Sequence, residues 1–204
     1  VTKPETEKLY LEIDQKTIIE LEKQRKDKIE KKLSKFSKFN ILIDHKDKKL
    51  KAKIRLKGDR AIHWINKQTL SYKVDMRGNN RIWELEKFSI QKPIVRNYTY
   101  EYLFHKFLDH TNHINLKYFF INLYLNKENR GLYAVEEGIS SDLLLRHQKR
   151  NGPIFGLDEF TSLNYPKIQY DLYESDFWAN QNLNLTETAF SILNNLKDNE
   201  KLFN

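Results

Sequence analysis

The chain has 204 residues, 36 Lys and Arg against 28 Asp and Glu, a net charge of +8 and no cysteine. Disulfides, thiolate metal sites and cysteine nucleophiles are therefore excluded, and no apolar run approaches the roughly 20 residues that cross a bilayer as a helix. Aromatics make up 13% of the chain, enough to fill a core despite a mean hydropathy of −0.75, so global disorder is excluded too, while the basic balance suits a phosphate-bearing partner.

The chain opens on Val1 rather than Met, as a processed or trimmed protein would. LYLEID, residues 9–14, reads as a short strand. Ile18, Ile19, Leu21, Ile29 and Leu33 then recur among dense Glu, Lys and Arg, which predicts a charged surface helix whose polar face is solvated. From Phe39 the period changes to two. FNILID, a polar turn at 45–48, and LKAKIRLKGD follow, with Leu50, Ala52, Ile54 and Leu56 alternating against Lys51, Lys53, Arg55 and Lys57. That pattern predicts an antiparallel hairpin with one wet face. LSYKVDM at 70–76, an RGNN turn and a strand ending in FSIQKP at 88–93 continue the sheet.

NYTYEYLFHKFLDHT places Tyr100, Leu103, Phe104, Phe107 and Leu108 at helical spacing, which predicts a helix packed on the sheet by that stripe. KYFFINLYLN and GLYAVEE, joined by a turn with Asn126, Asn129 and Gly131, predict a second hairpin. Beyond Gly138 the pattern is helical, with Ser140 as N-cap, Leu143 to Leu145 as the apolar part and a stop at 150–153. The stretch 156–181 reads as irregular and aromatic. A last helix is expected from near Thr186 with Phe190, Leu193 and Leu196, ending at Leu202, Phe203 and Asn204 without a cap, as a truncated domain would.

This order is an α+β arrangement of antiparallel strands plus one amphipathic helix, the type of lobe with which protein kinases hold ATP. Such a lobe needs a strand lysine near the phosphates and a helix carboxylate to hold it. Lys92, ending FSIQK, and Glu101, flanking the apolar stripe, are the candidates. Lys57 and Gly58, with Arg60, His63 and Lys67 near, offer a basic loop where backbone could approach a phosphate, although no GxGxxG is present. His105, His110 and His113 lack zinc-pair spacing and read as surface histidines.

KIRLKGD, then Trp64 and LSYKVDM, FSIQKP, R-N-Y-x-x-E at 96–101, INLYLN and GLYAVEE together resemble the CotH kinase family over residues 39–145, with a looser echo in DLYESDFW at 171–178. The resemblance implies a kinase-like N-terminal lobe at 39–138, preceded by a strand and charged helix at 1–38 and followed at 139–204 by the start of a helical lobe. It implies transfer of the ATP γ-phosphoryl to Ser or Thr of partner proteins such as spore-coat components, with Lys92 and Glu101 as an ion pair. It also implies that Ala134, Val135, Glu136 and Glu137 run beside the adenine. The family's catalytic and metal-binding aspartates have no counterpart: Asp171 and Asp176 precede the last helix and lack the downstream Asn, so magnesium ligands are expected beyond residue 204. Arg96 is a further phosphate candidate. The alternative is a non-catalytic coat or envelope scaffold that binds a protein or an anionic polymer. Nucleic acid ranks last as a partner, since only charge and scattered aromatics favour it.

Overall fold

The computed structural model describes residues 6–58, 60–157, 170–173, 177–178, 180 and 183–198. It divides into two compact units, Val1–Gly138 and Ile139–Asn204.

The first unit begins with β1 (Lys8–Glu12) and α1 (Gln15–Ile29), capped by Asp14, whose carboxylate accepts from the Thr17 amide at 2.8 Å. The hairpin β2 (Phe39–His45) and β3 (Lys48–Leu56) turns through Lys46 and Asp47, both at positive φ, the two-residue turn that matches strand twist. β4 (Tyr72–Met76), β5 (Lys87–Gln91), α2 (Tyr100–His110), β6 (Tyr118–Leu125) and β7 (Glu128–Glu137) complete it. The strands close into a seven-stranded barrel in the order β1-β2-β3-β4-β5-β7-β6. All neighbours are antiparallel except β1 and β6, whose parallel pairing shuts the barrel.

Register follows from side-chain parity, because a one-residue slip would turn every apolar side chain of a strand outward. Leu9, Leu11, Ile43, Ile54, Leu56, Phe88, Ile90, Ile121 and Leu123 point inward and are fully buried. Trp83 packs edge-on against Phe88 and Phe119 at 5.6 and 4.9 Å and contacts His45, plugging the end that holds the β2–β3 turn. α1 lies at the opposite end.

The expected fold, an open kinase-like N-terminal lobe of antiparallel sheet plus packed helix, is overturned by this closed mixed barrel. Two physical causes account for the difference. Residues 9–13 alternate Leu9, Leu11 and Ile13 inward, so the first strand supplies the missing stave instead of standing apart. The Asn126 side chain fastens it there, accepting from the Ile13 amide at 2.7 Å and donating to its carbonyl at 2.6 Å. Closure then turns the main apolar side of the sheet inside, so the outer wall meets α2 at the Tyr118 and Phe120 rings and not along the Tyr100–Phe107 stripe. Tyr100, Leu103, Phe104 and Phe107 are accordingly 54–71% exposed, and α2 touches β6 through Tyr102 on Phe120 and His105 on Tyr118.

In the second unit, α3 (Ser141–Arg146) starts after Ser140, and β8 (Phe155–Leu157) pairs antiparallel with β9 (Tyr170–Leu172). α4 (Leu183–Asp198) begins three residues before the expected Thr186, and Phe190 meets Phe155 edge-on at 4.7 Å.

Candidate functional site

Parity selects which polar side chains meet on the outside of the barrel. Phe88 and Ile90 of β5 face in, so Ser89 and Gln91 face out; on β7, Tyr133 and Val135 face in, so Ala134 and Glu136 face out. The pairs Ser89↔Glu136 and Gln91↔Ala134 set Gln91 and Glu136 on one diagonal. Lys57, which follows β3 on the outward parity of Lys53 and Arg55, completes the group. Its ammonium donates to Gln91 Oε1 and Glu136 Oε2, both at 2.9 Å, and Gln91 Nε2 donates to Glu136 Oε2 at 2.6 Å.

This triangle is enclosed, with Lys57 only 6% exposed. A 3₁₀ turn, Pro93–Arg96, brings the Arg96 guanidinium to 3.8 Å from Glu136 Oε2, and Arg96 Nε is buried with no hydrogen-bond partner among the described residues. The Lys57 amide donates to the Ser71 carbonyl, the Ser71 amide to the His63 carbonyl, and His63 Nδ1 meets Ser71 Oγ at 3.1 Å. Gly58 sits at φ +85° with the His63 ring against it, so that a Cβ there would stand 2.6 Å from His63 Cδ2. Glycine is therefore required by the turn and by the histidine.

Burial pulls the Lys57 ammonium below the ordinary lysine range, opposed by Glu136. Burial also disfavours the Glu136 carboxylate, but Lys57, Arg96 and Gln91 together outweigh it and hold its pKa below the usual glutamate value. His63 is pulled down to about 4, first by burial and then by Lys57 and Arg96, and is neutral at pH 7. Lys57 and Arg96 face Glu136, Lys73 is close enough to act on Lys57, and Glu101 acts on both Arg96 and Glu136, so two carboxylates stand among these cations.

Of the residues singled out from the sequence, Lys57 and Glu136 are brought together, and Gly58 forms the turn beside them. Lys92 and Glu101 are not joined. The Lys92 ammonium shares the inward parity of Phe88 and Ile90, donates to the Arg130 carbonyl at 2.5 Å and lies 4.3 Å over the Tyr133 ring. Glu101 lies 3.5 Å from His105, one turn along α2. The 134–137 stretch is an inner stave paired with β5 on one side and β6 on the other, so its backbone groups are taken up by ladders and no free edge faces an adenine. Glu137 accepts from the Lys117 amide at 2.8 Å. Asp171 lies on β9, and Asp176 falls outside the described residues. Gln91 was not among the expected residues, although a glutamine in a strand that is otherwise Phe, Ser and Ile marks an internal polar partner.

Among the described residues no three His, Asp or Glu side chains gather as a metal site, and no helix is long and apolar enough to cross a membrane. No protein-family model matches the chain, and no curated protein matches it.

Proposed function

We propose that this chain supplies the phosphate-holding site of a CotH-like phosphotransferase, which moves the γ-phosphoryl of ATP to Ser or Thr hydroxyls of partner proteins, with Lys57 as its phosphate lysine. The order of motifs from KIRLKGD to GLYAVEE supports this reading, whereas the closed barrel lends it none. The observation that carries it is the buried Lys57 held at 2.9 Å by Glu136 beside Arg96.

A lysine ammonium has three protons, and two are committed to Gln91 and Glu136, leaving one donor. The Arg96 Nε–H is unpartnered among the described residues. These two unspent donors fit a phosphate group, and phosphoryl transfer depends on such positioning and charge neutralisation. ATP would supply the transferable phosphoryl. The described residues offer no set of ligands that fits magnesium.

Calorimetric titration with ATP tests the assignment. Arg96→Ala and the paired change Lys57→Met with Glu136→Gln are expected to weaken binding about tenfold, the loss of one charge-assisted contact. Lys92→Ala is expected to leave it unchanged. Binding that survives in Arg96→Ala and disappears in Lys92→Ala would overturn the assignment, as would no ATP binding by the parent.

One observation favours the scaffold reading. The α2 face of Tyr100, Leu103, Phe104 and Phe107 is more exposed than an apolar stripe normally is, as a protein-binding helix would be. Phosphate transfer to a protein hydroxyl, abolished with the Lys57 site, separates the two readings.

A further inference from the structure

A second concavity lies away from the Lys57 site, where α1 crosses the open end of the barrel. It has a volume of about 600 Å³, within the range of about 300–1,000 Å³ typical of small-ligand pockets. Its floor and walls are Leu21 and Ile18 of α1, Leu123 and Leu125 of β6, and the rings of Tyr72 and Tyr133. Burial raises the pKa of both phenols, that of Tyr133 to about 12, so these walls are uncharged at neutral pH.

The rim is of opposite character. Lys23 and Lys26 come from positions three apart on α1, Lys67 from the 3₁₀ turn before β4, and Arg130 from β7. Glu22 is the acid of the lining, and Arg25 engages it at 2.9 Å, while Glu128 engages Arg130 at 3.1 Å. Glu22 also acts on Lys26 and Lys67, but it is one acid against four basic side chains of the lining, and Lys23, Lys26 and Lys67 are placed to meet an incoming anion. An apolar recess beneath a ring of lysines is complementary to a molecule with a hydrocarbon tail and a negative head, whereas the ribose hydroxyls of a nucleotide would lose water against the apolar floor without gaining partners there.

We infer that the α1 mouth of the barrel binds a single-chain amphiphile with an anionic head, its tail between α1 and Leu123 and its head among Lys23, Lys26 and Lys67. The inference is independent of the phosphotransferase reading, because none of these residues belongs to the Lys57 group.

The test is a fluorescence titration of the 204-residue chain with dansyl-undecanoate below its micelle concentration, followed by competition with palmitate, palmitoyl lysophosphatidate and hexadecanol. Saturable binding is expected, with displacement by at least one anionic competitor; which one displaces better identifies a carboxylate or a phosphate head. Hexadecanol is expected to compete about tenfold less well, and Lys26→Glu with Lys67→Glu to weaken binding by about tenfold. Ile18→Trp, which fills the recess from a half-buried position on α1, is expected to abolish binding while the far-ultraviolet spectrum stays that of the parent. Equal competition by hexadecanol, undiminished binding in the charge-reversed protein, or probe binding only in the presence of anionic vesicles overturns the inference. So does unaltered binding in a folded Ile18→Trp protein.

Discussion

Replacing Lys57 by Met tests whether the outer-wall triangle holds together as a unit. The side chain keeps its length and loses its charge, so Glu136 is left buried with only the Gln91 amide at 2.6 Å and Arg96 at 3.8 Å to answer it. Removing one partner of a buried ion pair generally costs about 3–5 kcal/mol. The two surviving contacts put this case near the lower end, about 3 kcal/mol, which for a unit of this size lowers Tm by about 10 °C. Glu136→Gln with Lys57→Met removes both charges, and the double variant is expected to recover about 2 kcal/mol of that loss, a coupling of the size found for contacting residues. Urea unfolding of the four proteins of the cycle measures it. A Lys57→Met variant within 1 kcal/mol of the parent, or losses that simply add, would show that the triangle is not a coupled unit and refute the reasoning.

Three further outcomes are expected. His63 has a folded pKa of about 4 against an ordinary 6.5, so the unfolded chain binds the extra proton between those values and stability falls as pH drops through that window. The gap is worth at most about 3 kcal/mol; nuclear magnetic resonance titration of the His63 ring reads the pKa directly, and His63→Asn should remove that part of the acid sensitivity. Gly58→Ala forces a side chain to φ +85° and into the His63 ring, and is expected to cost about 2–4 kcal/mol in urea unfolding. His63→Ala should relieve the clash but not the backbone strain. Asn126→Ala removes both bonds to Ile13, and is expected to cost about 2 kcal/mol and to speed amide exchange in β1 ahead of the other staves.

Periodicity of two made the staves legible. The alternation of Leu50, Ala52, Ile54 and Leu56 with Lys51, Lys53 and Arg55 is the β3 pattern, and INLYLN with GLYAVEE is the β6–β7 hairpin. Closure was not legible, because it rests on one parallel pairing between strands more than a hundred residues apart, and local alternation carries no information about which distant edge a strand joins. The α2 stripe was legible as a pattern but not as a contact: helical spacing identifies an apolar face, and only the fate of the sheet decides what covers it. The site was partly legible in the same way. Lys57 and Glu136 were named but not paired, whereas Lys92 was chosen because it ends a strand. Parity would have separated them, since Lys92 continues the inward series of Phe88 and Ile90 and Lys57 the outward series of Lys53 and Arg55.

The interior is filled by Leu, Ile, Val and aromatic side chains, and the charged residues on inward parity, Lys92 and Glu137, lie at strand ends where backbone groups partner them, Lys92 donating to the Arg130 carbonyl and Glu137 accepting from the Lys117 amide. Both faces of β5 are buried, Phe88 and Ile90 inside, Ser89 and Gln91 outside, as is the outward Ala134 of its neighbour β7. Gln91 could be buried on the outer face only if its amide were satisfied on both ends, and Lys57 and Glu136 do that reciprocally, their opposite charges offsetting each other while Arg96 also faces Glu136. The same constraint fixes what the site can accept. A cation would compete with Lys57 for a carboxylate already lowered by two positive neighbours, whereas an anion meets the remaining Lys57 proton and the free Arg96 Nε–H. If these donors take up an anion, chloride or inorganic phosphate is expected to raise Tm of the parent more than of Arg96→Ala in matched-ionic-strength melts. Equal shifts in both proteins would mean that the anion acts elsewhere and that the Lys57 triangle is structural only.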